Sequence, residues 1–169
     1  MPATNVKKST SSKRLTLSEK IRVRATNVGK GVFARKRFRK GQVIGEAVGK
    51  IIVSQDYDSR YCIELSDNHV LEPGAPFRFL NHSCEPNCEL FSWEPDESGD
   101  ESHRVFISTM CAIQPGEELT IDYAWQAEAA IPCLCSTESC RGWIVDADEL
   151  HKVRRSVSRL AAARRRKRA

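Results

Sequence analysis

The heptapeptide NHSCEPN, Asn81 to Asn87, decides how the rest of the chain is read. It packs two amides, an imidazole, a hydroxyl, a thiol and a carboxylate into one short stretch. Each has an ordinary reading when taken alone. Asn81-His82-Ser83 matches the glycosylation sequon, which needs a secretory context. His82 is a metal ligand, a catalytic base or, most often, a hydrogen-bonded structural histidine. Cys84 is a ligand or an ordinary buried thiol.

Outward from this stretch, 169 residues suffice for one domain with its own core and hardly for two. No apolar run is long enough to span a bilayer, and no membrane partner is expected. The N-terminal MPATNVKKSTSSKRLTLSEK lacks the apolar stretch of a signal peptide, so an intracellular protein of cytoplasm, nucleoid or nucleus is expected. Residues 1–20 are Ser/Thr/Lys-rich with little to bury, and are expected to form a disordered basic tail.

The net charge of +5 is unevenly placed. Residues 1–20 are net +4, residues 21–145 net −5 and residues 146–169 net +6. An acidic body suits a basic protein or peptide as partner: a histone, a histone-like DNA-binding protein or a ribosomal protein. Basic tails suit nucleic acid, or serve only as solvated, solubilising ends.

Short β-type segments fill the body. IRVRAT (21–26) alternates apolar and polar residues, and Gly29 and Gly31 mark a turn or a close approach after it. Lys40-Gly41 reads as a turn before the β-branched VIGEAVGKIIV. YCIEL (61–65) and HVLE (69–72) flank Ser66-Asp67-Asn68, a hairpin turn. NCELFSW and RVFISTM are two more strands around an acidic loop at 94–103, and ELTIDY closes the series after a turn at 113–116. Many short strands without alternating helices predict a mostly β domain. From Asp146 the pattern becomes helical. Asp146-x-x-Glu149 resembles a capping box, and Leu150, Val153, Val157 and Leu160 share one face of an amphipathic, Arg-rich helix over 146–169.

Seven cysteines in a reducing compartment imply thiols or metal ligands rather than disulfides. Cys133, Cys135 and Cys140 follow C-x-C-x4-C, one ligand short of a structural zinc site. Cys62, Cys84, Cys88 and Cys111 are the candidates for the fourth position. Cys62 and Cys111 sit in strand-like surroundings, where a buried thiol is the default.

The order of motifs is more specific than any one of them. GKGVFARKRFRKGQVI comes first, RFLNHSCEPNC second, GEELTIDYAW third and the cysteine triplet with Arg141-Gly142 last. From about Ile21 to Trp143 the chain resembles the SET-domain protein lysine methyltransferases with a post-SET zinc segment. The resemblance implies small curved β-sheets around a knot-like crossing of RFLNHS and the segment carrying Tyr123. It divides the chain into a SET domain at 21–125, a post-SET zinc segment at 126–145 and the basic helix beyond.

It also implies roles. S-adenosylmethionine (SAM) is the methyl donor, approached by Gly29, Lys30 and Gly31 and held by Arg78, Asn81 and His82, with Tyr61 on the cofactor and lysine channel and Trp143 as a cover. Tyr123, with Tyr61, is the catalytic tyrosine that orients the lysine amine for in-line displacement. Ile121 lines the channel where many relatives carry Phe or Tyr. One structural zinc is implied at Cys84, Cys133, Cys135 and Cys140. Two other readings compete: a catalytically silent SET-like module that binds basic protein or nucleic acid, and a small zinc protein that binds nucleic acid through its arginines. The presence of Tyr61, Asn81, His82 and Tyr123 together favours the enzyme.

Overall fold

The computed structural model describes residues 16–53, 57, 59–65, 68–93 and 103–166, with side chains at 93 and 160–166 left aside. The strands in chain order are β1 (Ile21–Thr26), β2 (Gly29–Ala34), β3 (Val43–Glu46), β4 (Gly49–Val53), β5 (Ile63–Glu64) and β6 (His69–Pro73). They continue as β7 (Asn81–His82), β8 (Cys88–Trp93), β9 (Arg104–Thr109), β10 (Glu118–Ile121), β11 (Ile131–Pro132) and β12 (Trp143–Ile144). Two α-helices, α1 (Leu17–Lys20) and α2 (Leu150–Arg166), lie near the ends.

Among the described residues the strands form four small sheets: β1-β2-β10-β7, β3-β9-β8, β4-β6-β5 and β11-β12. The mostly β expectation is met. β1 and β2 form a hairpin in register from Ile21↔Ala34 to Thr26↔Gly29, and Gly29 takes a φ of 119° that a side chain would resist. β10 lies between β2 and β7, antiparallel to the first and parallel to the second. The two segments expected to cross therefore run side by side, with Thr120↔Asn81 and Ile121↔His82 as partners.

Apolar residues from the three larger sheets share one core. Val32, Phe38, Ile44, Val105, Ile107, Ile113 and Leu119 have no exposed surface. Each such side chain contributes roughly 1.5–3 kcal/mol by leaving water. The core thus lies directly beneath β10, whose last residues lead into Tyr123.

Three local expectations change. Residues 17–20, placed in a disordered tail, form α1: the Thr16 N–H and hydroxyl both donate to Glu19 Oε2 at 2.7 Å, and Leu17 packs on the core. Residues 1–15 lie outside the described part, as do most of the acidic loop at 94–103 and Ser66-Asp67 of the predicted turn. Asp146 caps a single 3-10 turn, accepting from Asp148 N at 2.8 Å, while the Glu149 carboxylate accepts from Ala127 N at 2.7 Å and the Asp146 N–H goes to the Trp125 carbonyl instead. The apolar stripe of α2 docks only at its start. Val153 is buried, whereas Val157 is 45% exposed, and the side chain of Leu160 is outside the described part. No helix among the described residues is long and apolar enough to cross a membrane.

Candidate active site and cysteine cluster

Tyr123 leaves the end of β10 with its backbone and its hydroxyl both held. Its N–H donates to His82 Nδ1 at 3.2 Å, and its hydroxyl donates to the Leu80 carbonyl at 2.7 Å. The parallel pairing of β7 with β10 makes this possible, because it sets residues 80–82 beside 121–123. Burial, then the neighbouring Tyr61 and Glu118, push the Tyr123 hydroxyl up to about 12. Near pH 7 it is therefore a neutral donor.

A narrow cavity of about 40 Å³ opens beside this tyrosine, lined by Tyr61, Arg78, Leu80, Ile121 and Tyr123 together with Leu90, Ile107 and others. Among the described residues its lining includes Arg60 and Arg78 and no carboxylate. Arg78 sits over the Tyr61 ring, 4.0 Å from its centroid, and is held there by Glu72 at 3.0 Å. Four predicted residues, Tyr61, Arg78, Ile121 and Tyr123, therefore meet at one cavity.

Asn81 lies on the other side of β10. Its Nδ2 donates to the Lys30 carbonyl at 3.0 Å and to Glu118 Oε1 at 2.7 Å. Gly31 leaves room here: a Cβ on it would run into Glu118 Oε1 and push that carboxylate off Asn81. The GKG stretch, Asn81 and Glu118 thus form one linked group next to the turn of the β1–β2 hairpin. His82 is 8% exposed and turned inward, so its ring faces protein on both nitrogens. Nδ1 accepts from Tyr123 N, which leaves the proton on Nε2, 3.4 Å from Cys84 Sγ. Burial holds the ring below its ordinary pKa, so it is neutral near pH 7. Trp143 is half-buried in β12 opposite Pro132 and is not among the residues lining the cavity.

Cys84, Cys133, Cys135 and Cys140 come together with all four sulfurs within 4.8 Å of one another. Cys84 and Cys133 are 3.8 Å apart. Sulfurs at about 2.3 Å around a tetrahedral zinc stand about 3.8 Å apart, so the donor set and its spacing fit that ion. Backbone donors converge on the thiols as they do on thiolates: Arg141 N at 3.3 Å from Cys84, Cys135 N at 3.4 Å from Cys133 and Gly142 N at 3.4 Å from Cys140. Cys88 is not in the cluster. It is buried in β8, and burial pushes its thiol up to about 12.

Sequence reading missed four participants. Asn87 fastens β10 with both ends of its amide: Nδ2 donates to the Glu118 carbonyl at 2.7 Å, and Oδ1 accepts from Thr120 N at 2.9 Å. Its place in NHSCEPN was the available signal. Glu118 was visible only as part of GEELTIDY. Leu80 acts through its carbonyl, which leaves no mark in a sequence. Arg141 binds Asp122 through two hydrogen bonds of 2.7 Å, and its only signal was its position after Cys140.

Comparison with known proteins agrees with this geometry. Residues 29–124 match the family described as SET domain. The chain is 35% identical over 133 residues to the histone-lysine N-methyltransferase ash1 of Drosophila melanogaster, and 34% identical over 134 residues to ASHH2, a histone-lysine N-methyltransferase of Arabidopsis thaliana. Each match covers 69% of this chain, but only 6% of ash1 and 7% of ASHH2. Among solved structures, KRYPTONITE in complex with mCHH DNA, H3(1–15) peptide and SAH superposes with a TM-score of 0.63 at 24% identity, over 73% of this chain and 29% of that one.

Proposed function

The chain belongs to the SET-domain family, and we propose that it moves a methyl group from SAM to the ε-amine of a lysine in a basic, histone-like protein. The observation that carries this reading is the half-buried Tyr123, its hydroxyl fixed on the Leu80 carbonyl at 2.7 Å on the wall of a cavity shared with Tyr61. The cavity is small for a cofactor and suits the thin end of one side chain. The acidic body, net −5 over residues 21–145, suits a basic substrate, and the relatives named above are histone-lysine N-methyltransferases.

SAM, when bound, supplies an electrophilic methyl group for in-line displacement. The protein's own work is to deliver a neutral amine at the right angle. A free lysine amine has a pKa near 10.4. The apolar and aromatic lining disfavours the ammonium form by desolvation, and Arg60 adds a like charge, whereas Arg78 is paired with Glu72. Tyr123, unable to swing because both its N–H and its hydroxyl are engaged, orients the amine and presents its oxygen to the developing positive charge. Alignment and fixed dipoles supply the rate, and no covalent enzyme intermediate is needed. Gly29 to Gly31, Asn81 and the buried His82 form the edge proposed to receive the cofactor, with Trp143 as its cover.

The cysteine cluster would hold one zinc ion with no open position for water. Its contribution is closure: it ties residues 133–140 to Cys84, two residues from His82. The basic ends form the second part of the reading. Arg154, Arg155 and Arg159 are exposed on α2, beyond its docked first turn, and suit the phosphates of nucleic acid. Neutralising those three arginines should lower the salt dependence of DNA binding by up to about 0.9 in slope per lost phosphate contact.

The test of the enzyme reading is transfer of labelled methyl from SAM to a panel of basic proteins, with Tyr123→Phe alongside. The expected result is labelled lysine with the native chain and little with the variant. No transfer and no SAM binding by the native chain would favour the silent binding module. Equal transfer by Tyr123→Phe would remove the tyrosine from the mechanism.

A further inference from the structure

The residue after the last cysteine is bound to the residue before the tyrosine. Arg141 Nη1 and Nη2 each donate to one oxygen of Asp122, both at 2.7 Å, and the two side chains are 15% and 29% exposed. Burial pushes the Asp122 carboxyl up, and the Arg141 hydrogen bonds more than offset this, holding it below its ordinary value. Arg141 N donates at 3.3 Å to Cys84 Sγ, so this one residue also touches the thiol cluster.

Asp122 reaches past Tyr123. Its Oδ1 accepts from Ala124 N at 3.1 Å, and Ala124 has a φ of 47°, a left-handed conformation that a residue with a Cβ keeps only when held. Tyr123 is therefore bracketed on three sides: His82 on its N–H, Asp122 on the next peptide and Leu80 on its hydroxyl. Of these brackets, Asp122 is the one tied by a charged pair to the cysteine segment.

We propose that Asp122 and Arg141 are positioning residues, a clamp distinct from the metal through which docking of the cysteine segment sets the pose of Tyr123. Four thiolates on a metal can fix where residues 133–140 sit, but they make no contact with the turn at Ala124. The clamp does, and its forked geometry transmits direction as well as proximity. A lysine at 141 keeps the charge and loses the fork. The activity readout rests on the methyl-transfer reading above; the stability readout does not.

The test uses the zinc-loaded full chain with Asp122→Asn, Arg141→Gln, the double variant and Arg141→Lys. Each single variant should lower turnover at saturating substrates by about 10–100-fold, the scale of a small misplacement of a reacting group. The peptide KM should stay within about twofold and zinc at one per chain. The double variant should be no slower than the worse single, because both remove one shared interaction. Arg141→Lys should recover turnover only in part, and it carries the test should the other variants not fold. Losses that multiply in the double variant, a fall confined to KM, full activity in Arg141→Lys or loss of zinc in Arg141→Gln would each overturn the clamp. If the native chain transfers no methyl, the enzyme reading fails, and the clamp is judged by thermal unfolding of the same four chains. Midpoint shifts of the singles that do not add in the double support it, and shifts that add refute it.

Discussion

The two sides of the Tyr123 turn are held together by different forces. On one side, β2, β9 and β10 bury Val32, Ile107 and Leu119 completely and close their backbones in ladders. On the other, residues 131–142 bury almost nothing: Leu134 is 65% exposed, Ile131 is 37% exposed, and their ladder, β11–β12, has two residue pairs. Apolar burial stabilises the first region on its own. The second is held by four thiols, one charged pair and a hydrogen bond from Ser139 N to Glu85 at 2.8 Å. On this contrast the scaffold half of the proposed site should persist when the cysteine half is released.

The sharpest way to break this contrast is to remove one thiol. Cys84→Ser should take zinc from one per chain to none and abolish methyl transfer, while Cys88→Ser, outside the cluster, should keep its zinc. Equal zinc content in the two variants would show that the second region is not held as described. Next in size is Tyr123→Phe, where loss of the hydroxyl should cost about 10²–10³ in turnover, the scale of one fixed dipole at a reacting centre. Its zinc content should not change, since the tyrosine belongs to the first region.

Smaller effects test the first region. Asn87→Ala should leave Thr120 N and the Glu118 carbonyl without their partner, lowering stability by about 1–3 kcal/mol in denaturant titration with zinc retained. A value near zero would mean that β10 is held by its ladders alone. On α2 the comparison is internal. Val153→Ala should cost about 2 kcal/mol, and Val157→Ala, at an exposed position, less than about 0.5. Equal costs would mean that more of the helix docks than its first turn.

The last expected effect is alkaline. The Tyr123 hydroxyl is raised to about 12 in the folded chain, so its contribution to stability is complete below its unfolded pKa near 10. It is lost as pH rises through the folded value. The native chain should lose its stability margin over Tyr123→Phe between about pH 10 and 12, measured as the difference in thermal midpoints.

Motif order made the fold class and the meeting of Tyr61, Ile121 and Tyr123 legible, and it selected Cys84 over Cys88, whereas Arg78, expected beside Asn81 and His82, joins the cavity instead. What stayed hidden has physical reasons. The partner of the Tyr123 hydroxyl is a carbonyl at Leu80, identical in every residue type. Gly31 was read as a close approach to a ligand, whereas the chain's own Glu118 fills the space above it. The Arg141–Asp122 pair joins positions 19 residues apart through a turn whose shape depends on tertiary contacts. α1 has four residues, too few to show a helical period. The apolar stripe of α2 was real as a pattern, but a pattern cannot say how much of a helix finds a surface to cover.

The claim beneath all of this is that the cysteine cluster closes the site without supporting the core. Amide hydrogen exchange of the zinc-loaded chain, compared with the same chain after chelation, tests it directly. Faster exchange should be confined to residues 131–145 and to the peptides around His82 and Tyr123, with β2, β9 and the start of β10 still protected. Protection lost everywhere at once, or unchanged everywhere, would contradict it.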